Sequence, residues 1–233
     1  MKTNSLILII TALAAALQAA SAADITGKIT LKGTAPAPAD WTAQITDPNC
    51  GRKEPLLSRV YVAGKNGELA GVVVYIKDGL TGKTFEPSAT PVVIDQAGCE
   101  YSPYISAVQV KQKLLVKNSD KTMHNINVQS KESGNPVSNM AQIMGSKPLE
   151  YAFAKPEEFA PFACNVHPWM KAYVSAFDHP FFAVTGADGT FKIANVPPGK
   201  YVIEANHRKA GKVTQEVTVG AENKTADFTL EVK

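Results

Sequence analysis

Beyond its first residues the chain never sustains a helical repeat. Its apolar residues come in short runs rich in valine and isoleucine, each cut off by Gly, Pro, Asn or Asp. Strands are expected at Ile25–Leu31, Ser58–Ala63, Gly71–Ile76, Pro91–Ile94, Ala107–Val110, Lys113–Asn118, Asn125–Gln129, Leu149–Phe153, Lys171–Phe177, Thr190–Ile193, Lys200–Ala205, Val213–Val219 and Ala226–Glu231. Many short strands with turns between them predict an all-β protein of sandwiches or barrels, not alternating β–α units. The stretch Ser130–Lys147 is polar, carries two methionines, and is expected as loop or a short helix.

The chain's 233 residues suffice for one large β domain or two small ones. Near the C-terminus, turns at Ala187-Asp188-Gly189 and Pro197-Pro198-Gly199 separate two strands and favour a hairpin. This pattern resembles the transthyretin-like regulatory β-sandwich found beside carboxypeptidases. The opening strands usual in that fold have counterparts far upstream, at Ile25–Ile29 (ITGKI) and Ala70–Tyr75 (AGVVVY). The resemblance implies one sandwich split in two, residues 24–90 and 181–233, with a second domain inserted at 91–180. Domains in series are the alternative.

The N-terminus reads as an export signal over residues 1–23. Lys2 supplies the positive end, Leu6–Leu17 the apolar run, and the small residues Ala19–Ala23 allow cleavage after Ala22 or Ala23. The run falls short of the about 20 apolar residues a spanning helix needs. No stable membrane span is therefore expected after cleavage, and the protein is expected to be periplasmic or secreted. No cysteine stands at the cleavage point to take a lipid. Without Lys2 the chain carries 23 basic and 21 acidic residues, a net charge of +2, which argues against nucleic acid as a partner.

Three cysteines leave one over if two pair. Cys50 (DPNCG) and Cys99 (DQAGCEY) both lie in turn-rich contexts, whereas Cys164 has a different setting, so a Cys50–Cys99 disulfide is expected. The alternative, both as metal ligands, lacks the short spacing that zinc sites prefer.

That different setting is PFACNVHPWMKAYVSAF, in which Cys164, His167 and Met170 stand as C-x2-H-x2-M; upstream, His124 lies in KNSDKTMHNINV. A thiolate, two imidazoles and a thioether form the donor set of mononuclear electron-transfer copper sites. A tight loop between strands can aim Cys, His and Met at one centre, and a His from a distant strand completes it. Each residue alone is more often a packing residue. C-x2-C-H is absent, which excludes covalent haem attachment. A Cys–His nucleophile would leave Met170 without a role, so the chain is not expected to be an enzyme.

The order His, then Cys-His-Met before a last strand, resembles the cupredoxins over residues 91–180, and the Pro after His167 is most like amicyanin. The segments VVVYIKD, GCEYSPY, VKNSDKTMHNI, CNVHPWM, DHPFFAVTGADG and VPPGKY together resemble bacterial exported proteins that join a cupredoxin Greek-key barrel to a regulatory-like sandwich. The resemblance implies one type 1 copper ion on His124, Cys164, His167 and Met170. It also implies electron exchange with redox proteins such as c-type cytochromes or a dehydrogenase. Such proteins commonly carry His where this chain has Tyr104 and Asn127, and Trp-His at Asn206-His207, so any second metal served by those histidines is lost here.

Around the ligands, Asn125 is either a hydrogen-bonding brace beside the metal or a turn residue. Pro161, Phe162, Pro168 and Trp169 either form an apolar docking rim around an exposed edge of His167 or cap the barrel. Met123, Met140 and Met144 are soft ligands for a second Cu(I) or gap-fillers, while His179 and His207 are more often structural. Two other functions stay open: a Cu(I) carrier or resistance protein, and a surface binding module.

Overall fold

The computed structural model describes residues 21–233; the apolar run Leu6–Leu17 lies outside the described residues. In chain order the strands are β1 (Ala23–Lys32), β2 (Val73–Asp78), β3 (Val92–Gln96), β4 (Tyr101–Ser102), β5 (Ile105–Gln109), β6 (Leu114–Asn118), β7 (His124–Gln129), β8 (Val137–Gln142) and β9 (Leu149–Tyr151). Then follow β10 (Glu157–Ala163), β11 (Lys171–Phe177), β12 (Phe182–Val184), β13 (Thr190–Val196), β14 (Gly199–His207), β15 (Gly211–Val219), β16 (Lys224–Thr225) and β17 (Phe228–Glu231). Short 3-10 turns occur at Thr42–Gln44 and Pro48–Cys50, and the class is all-β.

The strands sort into two pairs of sheets. β1 lies between β13 and the parallel strands β16 and β17, facing the sheet β12-β2-β14-β15. Between them Ile25, Ile29, Val74, Ile76, Ile203 and Phe228 form one core. Gly27 is required there: a Cβ would come 2.0 Å from Ala226 O. The other pair is β4-β3-β6-β9 against β5-β11-β10-β7-β8, with Ile94, Val116, Ile126, Phe162 and Val174 in its core.

The run Val73–Ile76 is apolar without alternation because β2 is buried on both sides. Val74 and Ile76 enter the first core, while Val73 and Tyr75 meet Ile105 and Phe177 at the junction of the two units. β11 does the same in the second unit, sending Ala172 and Val174 inward and Tyr173 and Phe177 to the junction. The Tyr75 and Phe177 rings lie 4.5 Å apart there.

Four local expectations are revised. Pro197-Pro198-Gly199 closes no hairpin: β13 pairs with β1, whereas β14 pairs with β2 and β15, so this bend carries the chain from one sheet to the facing one. Ser58–Ala63 is an irregular strap whose side chains find partners without a ladder, Arg59 on Tyr101 O and Tyr61 stacked on His207. Ser130–Lys147 contains β8, an edge strand on β7. With one neighbour and exposed residues such as Val137 and Met140, β8 has no need of an alternating apolar pattern. Finally, segment 41–57, upstream of a boundary at residue 90, lays Trp41, Ile45, Cys50 and Leu56 on the second core. Cys50 and Cys99 form a disulfide with Cα atoms 5.4 Å apart, which ties that segment down.

Candidate metal centre

His124 opens β7 and alternates with Ile126 and Val128 on the core face of the strand. Cys164 and His167 lie on the loop between β10 and β11. Two backbone hydrogen bonds close it, from Met170 N–H to His167 O (2.8 Å) and from Cys164 N–H to Met170 O (3.2 Å). This turn brings Cys164 Sγ and His167 Nδ1 to His124 Nδ1. The Nδ1 atoms are 2.9 Å apart, and Sγ lies 4.0 Å from His124 Nδ1 and 3.8 Å from His167 Nδ1. An ion about 2.0 Å from each nitrogen and about 2.3 Å from the sulfur would set its ligands about 3.3–3.7 Å apart. The sides of this triangle bracket that range, so adjustments of a few tenths of an ångström suffice.

Each imidazole turns its other nitrogen to a carboxylate. His124 Nε2 is 2.9 Å from Asp120 Oδ2, and His167 Nε2 is 3.2 Å from Asp47 Oδ2. A carboxylate accepts the Nε2 proton and so leaves Nδ1 as a lone pair. Two lone pairs facing each other at 2.9 Å beside a thiol repel unless a cation, proton or metal, sits among them. Burial reinforces this by pushing the His124 imidazole down from its ordinary value, against the opposing pull of Asp120. All three donors are buried: His124 is 0 % exposed, and Cys164 and His167 are each 2 % exposed.

The carboxylates are themselves held. Asp47 accepts the Thr122 hydroxyl and the Asn49 N–H, and these bonds hold its carboxyl down at about 2. Asp120 accepts N–H groups from Gly98 (2.6 Å) and Cys99 (2.8 Å). The disulfide therefore stands beside both supports, since Cys50 follows Asp47 by one short turn and Cys99 binds Asp120 directly. Asn125 links the two ligand segments: its Oδ1 accepts Asn165 N–H (2.6 Å), its own N–H lies 3.5 Å from Cys164 Sγ, and its Nδ2 donates to Asn139.

Sequence reasoning missed Asp47 and Asp120. Asp120 had a local signal, lying four residues before His124. Asp47 had only its place beside a disulfide cysteine. Met170 is buried in the same cluster as Cys164. The docking-rim reading is corrected: His167 has no exposed edge, Phe162 lies within the core and Trp169 packs on it, and of the four residues Pro168 alone is exposed. The Asp47 turn and the disulfide cover the outer side of His167. Met123, Met140 and Met144 are exposed on the surface. His179 packs between Phe177 and Phe181, and His207 accepts the Ala210 N–H beneath Tyr61; neither joins a cluster of metal-ligating residues among the described residues.

The fold and site thus define an all-β chain with a buried pocket of one cysteine and two histidines. Residues 181–233 match a family model described as the second β-sandwich domain of the BOS complex subunit NOMO1-like. No curated protein matches the sequence. Among solved structures the chain is similar to a Cu-containing nitrite reductase from Thermus scotoductus SA-01, at 21% identity and TM-score 0.34 over 42% of this chain. That match spans only 24% of the reductase chain. It is also similar to an oxidized mutant of amicyanin (16% identity, TM-score 0.34, 44% of this chain and 97% of that one). A purple cupredoxin from Nitrosopumilus maritimus is similar too (22% identity, TM-score 0.30, 36% of this chain and 98% of that one). Likenesses at that level of superposition decide nothing about chemistry, which rests on the donor atoms themselves.

Proposed function

We propose that this chain holds one copper ion on His124, Cys164, His167 and Met170 and carries single electrons, without catalysing a reaction of its own. The observation that carries the reading is the buried triangle of two Nδ1 atoms and one Sγ, with both Nε2 atoms on carboxylates. Bound there, copper supplies a one-electron couple between Cu(I) and Cu(II). The chain's part is to keep the donors in one place: the seven-residue turn is closed by its own hydrogen bonds, the histidines are fixed from behind, and Asn125 bridges the segments. Donors that move little between oxidation states keep the barrier to electron exchange low.

The reading includes an exported location. The signal-like N-terminus and the disulfide both suit a periplasmic or secreted protein. The first described strand begins at Ala23, which pairs with Val196, so cleavage after Ala22 keeps β1 whole. Among the described residues no helix is long and apolar enough to cross a membrane. The partners proposed are redox proteins, c-type cytochromes or a dehydrogenase. One observation favours the second reading, a Cu(I) carrier: Met123, Met140 and Met144 present thioethers on the surface.

Visible absorption and electron paramagnetic resonance of Cu(II)-loaded protein test the proposal. An intense thiolate-to-copper band, lost in Cys164→Ala, is expected. A colourless protein that retains only Cu(I) favours the carrier, and one that takes up no copper overturns both readings.

A further inference from the structure

Away from the metal centre, the two units enclose a cleft that the copper reading leaves unused. A cavity of about 450 Å3 is walled by Val62, Val92, Ile105 and Val184 and bordered by Arg59 and Arg208. Arg59, Tyr104 and Arg208 also border an adjoining cavity of about 200 Å3, so they stand between the two.

Both guanidinium groups are held in place. Arg208 lies 4.2 Å over the Tyr173 ring and donates to Tyr104 Oη at 3.1 Å. Arg59 lies 4.9 Å over the Tyr104 ring and donates to Tyr101 O at 2.9 Å. Their charge is poorly balanced. Glu100 serves Arg59 at 3.4 Å and Arg52 at 2.8 Å, while among the described residues no carboxylate lies within ion-pair distance of Arg208. Lys171 and Glu100 both line the smaller cavity and offset each other there, which leaves the Arg208 charge without a counter-ion. Ser106, in the wall of the larger cavity, has a buried Oγ with no hydrogen-bond partner in the protein.

An immobilised, half-buried guanidinium without a counter-ion calls for an anion, and its planar fork matches a carboxylate. Branched aliphatic walls call for an apolar body and disfavour a highly hydrated anion. The volume falls within the about 300–1,000 Å3 usual for small-molecule sites, and such sites gather at junctions between domains. We propose that this cleft binds an amphipathic monocarboxylate, its carboxylate on Arg208 and Arg59 and its apolar body against Val62, Val92, Ile105 and Val184. The site stands independently of copper.

Titration of the full chain with sodium octanoate, followed by calorimetry and by tryptophan fluorescence, tests it. Trp41 and Trp169, the chain's two tryptophans, both border the smaller cavity and should report an occupant next door. Saturable one-to-one binding is expected. Octanol, which lacks the charge, and acetate, which lacks the chain, should each bind at least about tenfold more weakly. Arg208→Met should weaken octanoate by about tenfold or more, and Arg208→Lys, which keeps the charge but loses the fork, by less. Absence of saturable octanoate binding, octanol binding as tightly as octanoate, or an unchanged affinity in a folded Arg208→Met would each overturn the proposal. Should Arg208→Met not fold, the octanol comparison and Arg208→Lys decide alone.

Discussion

Asp47 Oδ2 lies 3.2 Å from His167 Nε2 across 120 residues of sequence. This contact closes the outer side of the candidate metal centre, since it covers the imidazole edge that would otherwise face solvent. It also fixes which ring nitrogen of His167 turns inward. Asp47→Ala should lower Cu(II) affinity by about 10–100-fold, read by competition with a chelator. The loop role assigned to Asp47 fails if the folded variant retains copper as tightly as the parent.

The Cys50–Cys99 bond closes a sequence separation of 49 residues, worth about 4 kcal/mol in the chain-entropy account. Replacing both cysteines with serine should lower the urea midpoint accordingly. It should also loosen copper, because the same loops hold Asp47 and Asp120. Copper affinity measured well below the unfolding transition separates the two effects. A less stable double variant with unchanged affinity would show that the bond only staples the fold.

With His167 buried, the Trp169 indole is the aromatic group that connects it to a surface cavity. The two rings lie 5.2 Å apart, and Trp169 Nε1–H is fixed on Cys99 O. Trp169→Leu should slow electron exchange with a soluble redox partner several-fold while leaving the Cu(II) absorption band in place. Equal rates in stopped-flow mixing would direct attention to another exit.

His207 is buried, and burial, its largest influence, together with neighbouring Arg208 holds its imidazole down at about 4. The folded protein thus keeps His207 neutral where the unfolded chain, titrating near the ordinary 6.5, already binds a proton. Its contribution is whole above pH 6.5 and lost as pH falls toward 4, a total of about 3 kcal/mol. His207→Gln should flatten this part of the profile. The check is the difference in urea midpoint between parent and variant at pH 7 and pH 4.5; parallel profiles would contradict the assignment.

Much of the fold was legible because strands announce themselves locally. β1, β6, β7 and β11 follow from apolar residues bounded by turn formers, and the Cys164–His167 spacing is legible because one short turn can bring its own side chains together. β8 was not, since an exposed edge strand imposes no burial pattern. β10 was obscured by a charged residue: Glu157 is buried only because Lys131 N–H and Asn135 Nδ2 satisfy it from another loop.

The sequence alone determined the all-β class and the short Cys164–His167 spacing, which are properties of residue type and local pattern, and its turn-rich contexts singled out Cys50 and Cys99 as partners. Tertiary structure decided the rest. It set Asp47 and Asp120 behind the two imidazoles, buried His167 instead of exposing it, turned Pro197-Pro198-Gly199 into a passage between sheets, and brought Arg59 and Arg208 to one cleft. The physical reason is common to all four. A side chain's burial and partner depend on which distant segment packs against it, and that is fixed only when the sheets close on their cores.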